Sequence, residues 1–188
     1  SSERRLQWAN EPIVISVAND NGKRGNLRLP RQVRARARSP RLESLPRLAK
    51  AVPDLQFIHL TGGSVEPVHR AYDALGLHAV VRPFLTEMEY ALGAADLAVS
   101  RSGASSLAEF SAMELPAILI PYPTAVDDHQ RINAQSFVDI GAARCFHQKQ
   151  LTPNLLVSQL SELFGSSAKL EEMAAAMKKW KAAQATEE

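Results

Sequence analysis

Ala94-Ala95-Asp96-Leu97-Ala98-Val99-Ser100-Arg101-Ser102-Gly103-Ala104-Ser105-Ser106-Leu107-Ala108-Glu109 reads as a short apolar strand, a loop of small residues and the opening of a helix. Leu97 to Ser100 is strand-length, and Gly103 punctuates it before helical spacing resumes. The same alternation extends in both directions. Upstream, Pro12 to Val17 and Leu55 to Leu60 are strand-like, the second closed by Thr61, Gly62 and Gly63. Between them Leu42, Leu45, Leu48, Ala49 and Val52 fall at helical spacing, with Pro46 putting the helix start in question. Glu66 to Leu75 reads as helix, Ala79 to Arg82 as strand and Glu87 to Ala94 as helix. Downstream the expected order is helix Ser105 to Met113, strand Ala117 to Pro121, helix Asp128 to Ile140 and strand Ala143 to Phe146. Two helices then follow, about Pro153 to Phe164 and Ser167 to Ala185.

Strands that alternate with helices imply a parallel sheet, because each parallel pair needs a crossover and the helix supplies it. The expected fold class is α/β, a Rossmann-like parallel sheet with helices on both faces. Ligands of such sheets sit outside the carboxyl ends of the strands, which directs attention to the loops after Leu60, Arg82, Ser100, Pro121 and Phe146.

Composition narrows the function classes. At 188 residues, 45% hydrophobic and 22% charged, the chain suits one ordinary globular domain. Runs such as Ala117 to Ile120 are too short to cross a bilayer, and Ser1 to Asn10 has no signal-peptide core. A lone Cys145 offers neither an internal disulfide nor a zinc cluster, which points to a reducing compartment. The net charge of +2 is uneven: Lys23 to Arg41 holds eight basic and no acidic residues, and the remaining 14 basic against 20 acidic residues leave −6. That stretch could meet phosphates of nucleic acid or lipid headgroups, but it lacks the aromatic interleaving of a single-strand binder, so nucleic acid is disfavoured. P-loop, nucleophile-elbow and H-E-x-x-H motifs do not occur.

Three loops carry candidate chemistry. In the first, the small residues Ser102, Gly103 and Ala104 let backbone N–H groups at a helix start approach an anionic ligand. Glu109 behind them either accepts from two ribose hydroxyls or pairs with Ser106 in a capping box. In the second, Asp127 or Asp128 can cap a helix on which His129, Gln130 and Asn133 lie within about one turn. That fan of donors and acceptors suits sugar hydroxyls, and local capping or solvation is the alternative. Adjacent Asp127, Asp128 and His129 converge poorly as metal ligands. In the third, Phe84 could stack on a flat heterocycle while backbone near Leu85 reads its edge, or Phe84 could be core.

Taken in order, these stretches closely resemble one family. They are Pro83-Phe84 with Met88, Ala94 to Leu97, Ser100 to Ala104 with Glu109, Pro116, Ile120 to Pro123, Asp127 to Gln130 with Asn133-Ala134, and Gly141 to Ala143. The family is the MurG peptidoglycan N-acetylglucosaminyltransferases, and the resemblance runs from about Glu43 to Lys179. It implies one half of a GT-B glycosyltransferase: residues 1–188 as a single C-terminal domain binding UDP-N-acetylglucosamine. The sugar would pass to lipid I, giving lipid II, at the inner face of the cell membrane, with a membrane surface as a further partner. By resemblance, Phe84 would lie against uracil, the Leu85 backbone would bond the base, and Glu109 would hold the ribose. Ala104 would face sugar and diphosphate, His129, Gln130 and Asn133 would contact the N-acetylglucosamine, and Met88, Ser102 and Gly103 complete the substrate-binding set. The implied chemistry is inverting displacement in which helix ends and donors stabilise the departing UDP, with no metal or cofactor.

Two departures accompany the resemblance. It covers only the carboxyl-terminal half of the enzyme, so acceptor binding, membrane attachment and the catalytic base would belong to an amino-terminal half, and the isolated chain is expected to be inactive. After the first strand the family has a Gly-rich G-G-S-Q-G-A phosphate loop, where this chain has Ala18-Asn19-Asp20-Asn21-Gly22 and the arginine stretch. Residues 16–41 are therefore expected to be anomalous and open to disorder, through an altered reading frame or a divergent insertion; the alternative is that arginine side chains replace the lost phosphate donors. Besides the transferase half, the sequence leaves open a catalytically incomplete UDP-sugar-binding module and a phosphate or headgroup binder using the arginines. A UDP-sugar epimerase shares the architecture but needs a fuller catalytic set.

Overall fold

The computed structural model describes residues 13–17, 40–122 and 129–184. Their order is β1 (Ile13–Val17), α1 (Pro40–Ala51), β2 (Gln56–Leu60), α2 (Glu66–Asp73), β3 (Ala79–Arg82), α3 (Met88–Ala94) and β4 (Leu97–Ser100). There follow α4 (Ala104–Ala112), β5 (Ala117–Leu119), α5 (His129–Asp139), β6 (Ala143–Cys145), α6 (Pro153–Phe164) and α7 (Ser167–Gln184). The six strands form one sheet in the order β3-β2-β1-β4-β5-β6, every neighbouring pair parallel. The chain builds outward from β1 to β3, then crosses back to place β4 on the other side of β1. Val14, Ile15 and Ser16 pair with Leu97, Ala98 and Val99 across that reversal. The expected fold class holds. Of the anomalous stretch 16–41, Ser16 and Val17 lie in β1, Pro40 and Arg41 lie in α1, and the remainder falls outside the described residues.

Side-chain alternation divides the core between the two faces of the sheet. On β4, Leu97 and Val99 join one apolar cluster and Ala98 the other; on β5, Ile118 separates in the same way from Ala117 and Leu119. A period of two fixes this assignment, and all of these residues are buried, as a strand covered on both faces must be. The first cluster takes Leu45 and Leu48 of α1 with Leu156, Leu160 and Leu163 of α6. The second takes Leu92 of α3, Leu107 and Phe110 of α4, Phe137 of α5 and Met177 of α7.

Pro46 does not start α1 but sits inside it. A proline there cannot donate to the Leu42 carbonyl, a cost of about 3 kcal/mol for an isolated helix. Leu45 and Leu48, each 2% exposed, flank it and pack into the first cluster, so tertiary burial overrides the local preference. Expected and observed bounds of the other elements differ by no more than two residues.

At the far edge, Arg144 of β6 forks onto both carboxylate oxygens of Glu162 in α6 at 3.0 and 2.9 Å, and Lys169 reaches the same group at 2.7 Å. These partners, Arg144 foremost, hold the Glu162 carboxyl down at about 2 from an ordinary 4.5. A depressed carboxylate contributes stability above its ordinary value and loses it as pH falls toward the folded one. Glu162→Gln is therefore expected to melt below the wild type at pH 7, with the gap closing by pH 2, as read by paired thermal scans.

Candidate functional site

All six strands present their carboxyl ends on one edge, and the strand order reverses between β1 and β4 there, the position at which sheets of this kind bind ligands. Ser100 ends β4 with its side chain buried, and Arg101, Ser102 and Gly103 turn the chain into α4. Gly103 is the N-cap, in extended conformation (φ −66°, ψ 145°) and without a side-chain cap bond. A Cβ at Gly103 would meet nothing within 4 Å, so the space before the helix is open. The first backbone N–H groups of α4 have no intrahelical acceptors, as at any helix start, a setting that favours an anion.

The Ser106–Glu109 capping box is not formed, because α4 begins at Ala104 and Ser106 is a buried third helical residue. Glu109 stands in the second turn, exposed. Its side chain is tilted toward the helix N-terminus by helix geometry, which keeps the loop within the range of its carboxylate.

The second loop returns beside the first. α5 opens at His129, exposed, with Gln130 and Asn133 half-buried behind it. The Ser102 hydroxyl, fully buried, donates to the Gln130 backbone carbonyl at 2.7 Å. One bond therefore ties the approach to α4 to the first turn of α5 and sets the two helix starts side by side. The backbone N–H of Tyr122 donates to Gln130 Oε1 at 2.9 Å. The expected caps Asp127 and Asp128, and the metal alternative built on them, lie outside the described residues.

Phe84 follows β3 and is 70% exposed, which excludes a core role for its ring. Its loop is held from β2: Thr61 N–H donates to Arg82 O and Gly62 N–H to Pro83 O, both at 2.9 Å, extending the ladder past the strand ends. Gly62 adopts φ +65°, a conformation that favours glycine. Leu85 and Met88 are half-buried against the second apolar cluster, so Leu85 turns its side chain to the core and has only backbone to offer a ligand.

These residues share one edge without sharing one cavity. Strands β3 and β4 are separated by β2 and β1, about 14 Å at ordinary strand spacing. A cavity of about 490 Å³ lies among α4, α5 and α7, with Ala104, Ala108, Asn133, Phe137 and Trp180 on its walls. Ala104 and Asn133 stand at its upper end, whereas Phe84, Glu109 and Gln130 do not line it. A second, of about 320 Å³, opens beside the end of β6, where Arg131, His147 and Lys149 make the edge basic. Cys145 of β6 has its thiol pushed up by burial, which keeps it a poor nucleophile.

Arg101 is a residue to which the sequence reading gave no role. Its guanidinium donates to Ile120 O at 3.0 Å, Pro121 O at 3.2 Å and Gln148 Oε1 at 2.8 Å, and lies 5.1 Å from the Tyr122 ring centroid. The loops after β4, β5 and β6 are knotted there. Nothing in the spacing of Arg101 and Gln148 along the chain announces the contact.

The family model of the glycosyltransferase family 28 C-terminal domain matches residues 36–188. The chain belongs to that family. Family 28 relatives agree along most of its length. A Crocosphaera subtropica protein named UDP-N-acetylglucosamine--N-acetylmuramyl-(pentapeptide) pyrophosphoryl-undecaprenol N-acetylglucosamine transferase is 45% identical over 116 residues, 62% of this chain and 32% of that one. The Saccharophagus degradans protein of the same name is 36% identical over 173 residues, 92% of this chain and 42% of that one. Among solved structures, Acinetobacter baumannii MurG superposes with a TM-score of 0.70 at 29% identity, covering 94% of this chain and 48% of that one. The chain thus spans between about a third and a half of the length of these relatives.

The Ser102–Gln130 bond gives the site its first test. Ser102→Ala leaves the Gln130 carbonyl without its side-chain donor and is expected to lower stability by about 1–2 kcal/mol in denaturant titration. An unchanged midpoint would show that the two helix starts are held together by other contacts.

Proposed function

We propose that the chain is the donor-binding half of an inverting N-acetylglucosaminyltransferase that takes UDP-N-acetylglucosamine and, with an acceptor-binding half, glycosylates an undecaprenyl-diphosphate-linked muramyl pentapeptide, converting lipid I to lipid II. The observation that carries this reading is the pairing of two helix starts, those of α4 and α5, through the buried Ser102–Gln130 bond at the carboxyl edge of the sheet. Phe84 supplies an exposed flat surface for uracil and the Leu85 backbone its edge contacts, with Met88 beneath. Glu109 accepts from the ribose hydroxyls. Ser102, Gly103 and Ala104 bring N–H groups to the diphosphate, and His129, Gln130 and Asn133 address the sugar.

In the reaction an acceptor hydroxyl displaces UDP from the anomeric carbon with inversion. Negative charge grows on the diphosphate as the bond breaks, and N–H groups fixed at a helix start stabilise it without reorganising. The base that takes the acceptor proton belongs to the other half. Residues 1–188 act as one unit in this scheme, inactive alone but able to hold the donor, at the cytoplasmic face of the membrane where the lipid-linked acceptor resides. Attachment in this scheme is peripheral, and no helix among the described residues is long and apolar enough to cross a membrane.

Titration calorimetry tests the proposal. The wild-type chain should release or absorb heat with UDP-N-acetylglucosamine at up to millimolar ligand. Phe84→Ala and Glu109→Ala should each weaken binding about fivefold or more, the scale of one lost stack or one charged hydrogen bond. Absence of binding by the wild type would refute it. Lipid II formation on adding an amino-terminal half would separate a transferase half from a binding module without catalysis.

A further inference from the structure

We propose that Arg101 is a positioning residue that fixes the carboxamide of Gln130, so that Gln130 meets its ligand as an N–H donor. The inference rests on the preceding proposal only in taking that ligand to be the donor sugar; the orientation itself is a property of the unliganded chain.

The guanidinium is a rigid fork, and here its Nη1 and Nη2 atoms are committed to three acceptors on two other loops. Two of those acceptors are the carbonyls of Ile120 and Pro121, which immediately precede Tyr122. The Tyr122 ring also lies against the same guanidinium. The main chain before the Tyr122 amide and the side chain after it are thereby held, and the direction of its N–H is set.

That N–H can only donate, so the atom of Gln130 that receives it, 2.9 Å away, is the carboxamide oxygen. Nε2 is then turned to the opposite side of the group, and it can offer only hydrogens. Ser102, the next residue after Arg101, simultaneously holds the Gln130 main chain through its carbonyl. Consecutive residues of one loop therefore fix both ends of Gln130: Ser102 fixes where the residue sits and Arg101 fixes how its amide faces. A donor-only Gln130 selects ligand groups with a free oxygen lone pair, as a sugar hydroxyl has. An amide free to rotate would accept as readily as donate and would lose that selectivity.

Lysine at 101 keeps the charge but not the fork, and Gln148→Ala removes one anchor while leaving the arginine. In ¹H–¹⁵N spectra of the unliganded 188-residue chain, the Gln130 side-chain amide pair is assigned by its loss in Gln130→Ala. The expected result is that this pair shifts in Arg101→Lys and moves in the same direction, less far, in Gln148→Ala. A pair that stays in place in both variants would overturn the proposal, and so would movement in Gln148→Ala alone.

Calorimetry supplies the functional arm. Arg101→Lys should weaken UDP-N-acetylglucosamine about fivefold while UDP itself changes less than twofold, since only the sugar meets Gln130. Equal weakening of both ligands would contradict positioning through Gln130 and show general damage to the edge. Should Arg101→Lys melt far below the wild type, Gln148→Ala carries both measurements. A wild type that binds neither ligand would sink the proposed function, while the spectra would still decide whether Arg101 sets the amide.

Discussion

Parallel pairing of β1 with β4 is the constraint on which the rest of the molecule depends. Parallel neighbours cannot be joined by a hairpin, so every connection must climb back over a face of the sheet, and every strand then delivers its carboxyl end to the same edge. Because β1 to β3 are laid down on one side and β4 to β6 on the other, the strand order reverses at the β1/β4 boundary, where sheets of this kind bind ligands. The apolar clusters on both faces anchor this arrangement: Leu97 and Val99 point one way and Ala98 the other, and a slip of one residue would exchange them.

What that edge can do follows from how its loops are finished. Two of them end in helix starts, whose dipoles suit negative charge, and one buried hydroxyl brings the two together. A third ends in an exposed aromatic ring on a loop tied to its neighbour by backbone bonds. Basic residues gather beside the end of β6. On the function proposed above, the helix starts would take the diphosphate, the exposed ring the base and the polar side chains of α5 the sugar. Phe84, Glu109 and Gln130 are set along one rim and do not line the cavity among α4, α5 and α7.

Much of the fold was legible because it is written in local periodicity. Ala79–Arg82, Leu97–Ser100 and Pro153–Phe164 were bounded correctly by apolar runs, turn residues and a Thr-Pro helix start. Pro46 misled for the opposite reason: its local effect is real, but burial of Leu45 and Leu48 outweighs it, and that burial depends on α6, more than a hundred residues away. At the site, residue types on loops pointed to the right edge, while choices between alternatives needed coordinates. Spacing could not distinguish a capped Ser106 from a buried one, nor a core Phe84 from an exposed one. Arg101 escaped altogether, since its partners Ile120, Pro121 and Gln148 are brought to it only when three strand ends stand side by side.

A crystal structure of the chain soaked with UDP-N-acetylglucosamine tests the central claim most directly. The account places the uracil ring on Phe84, the ribose beside Glu109 and the sugar at the start of α5, in a single extended pose along the carboxyl edge. Density for the nucleotide in the groove among α4, α5 and α7, or anywhere that leaves Phe84 and Glu109 untouched, would contradict it.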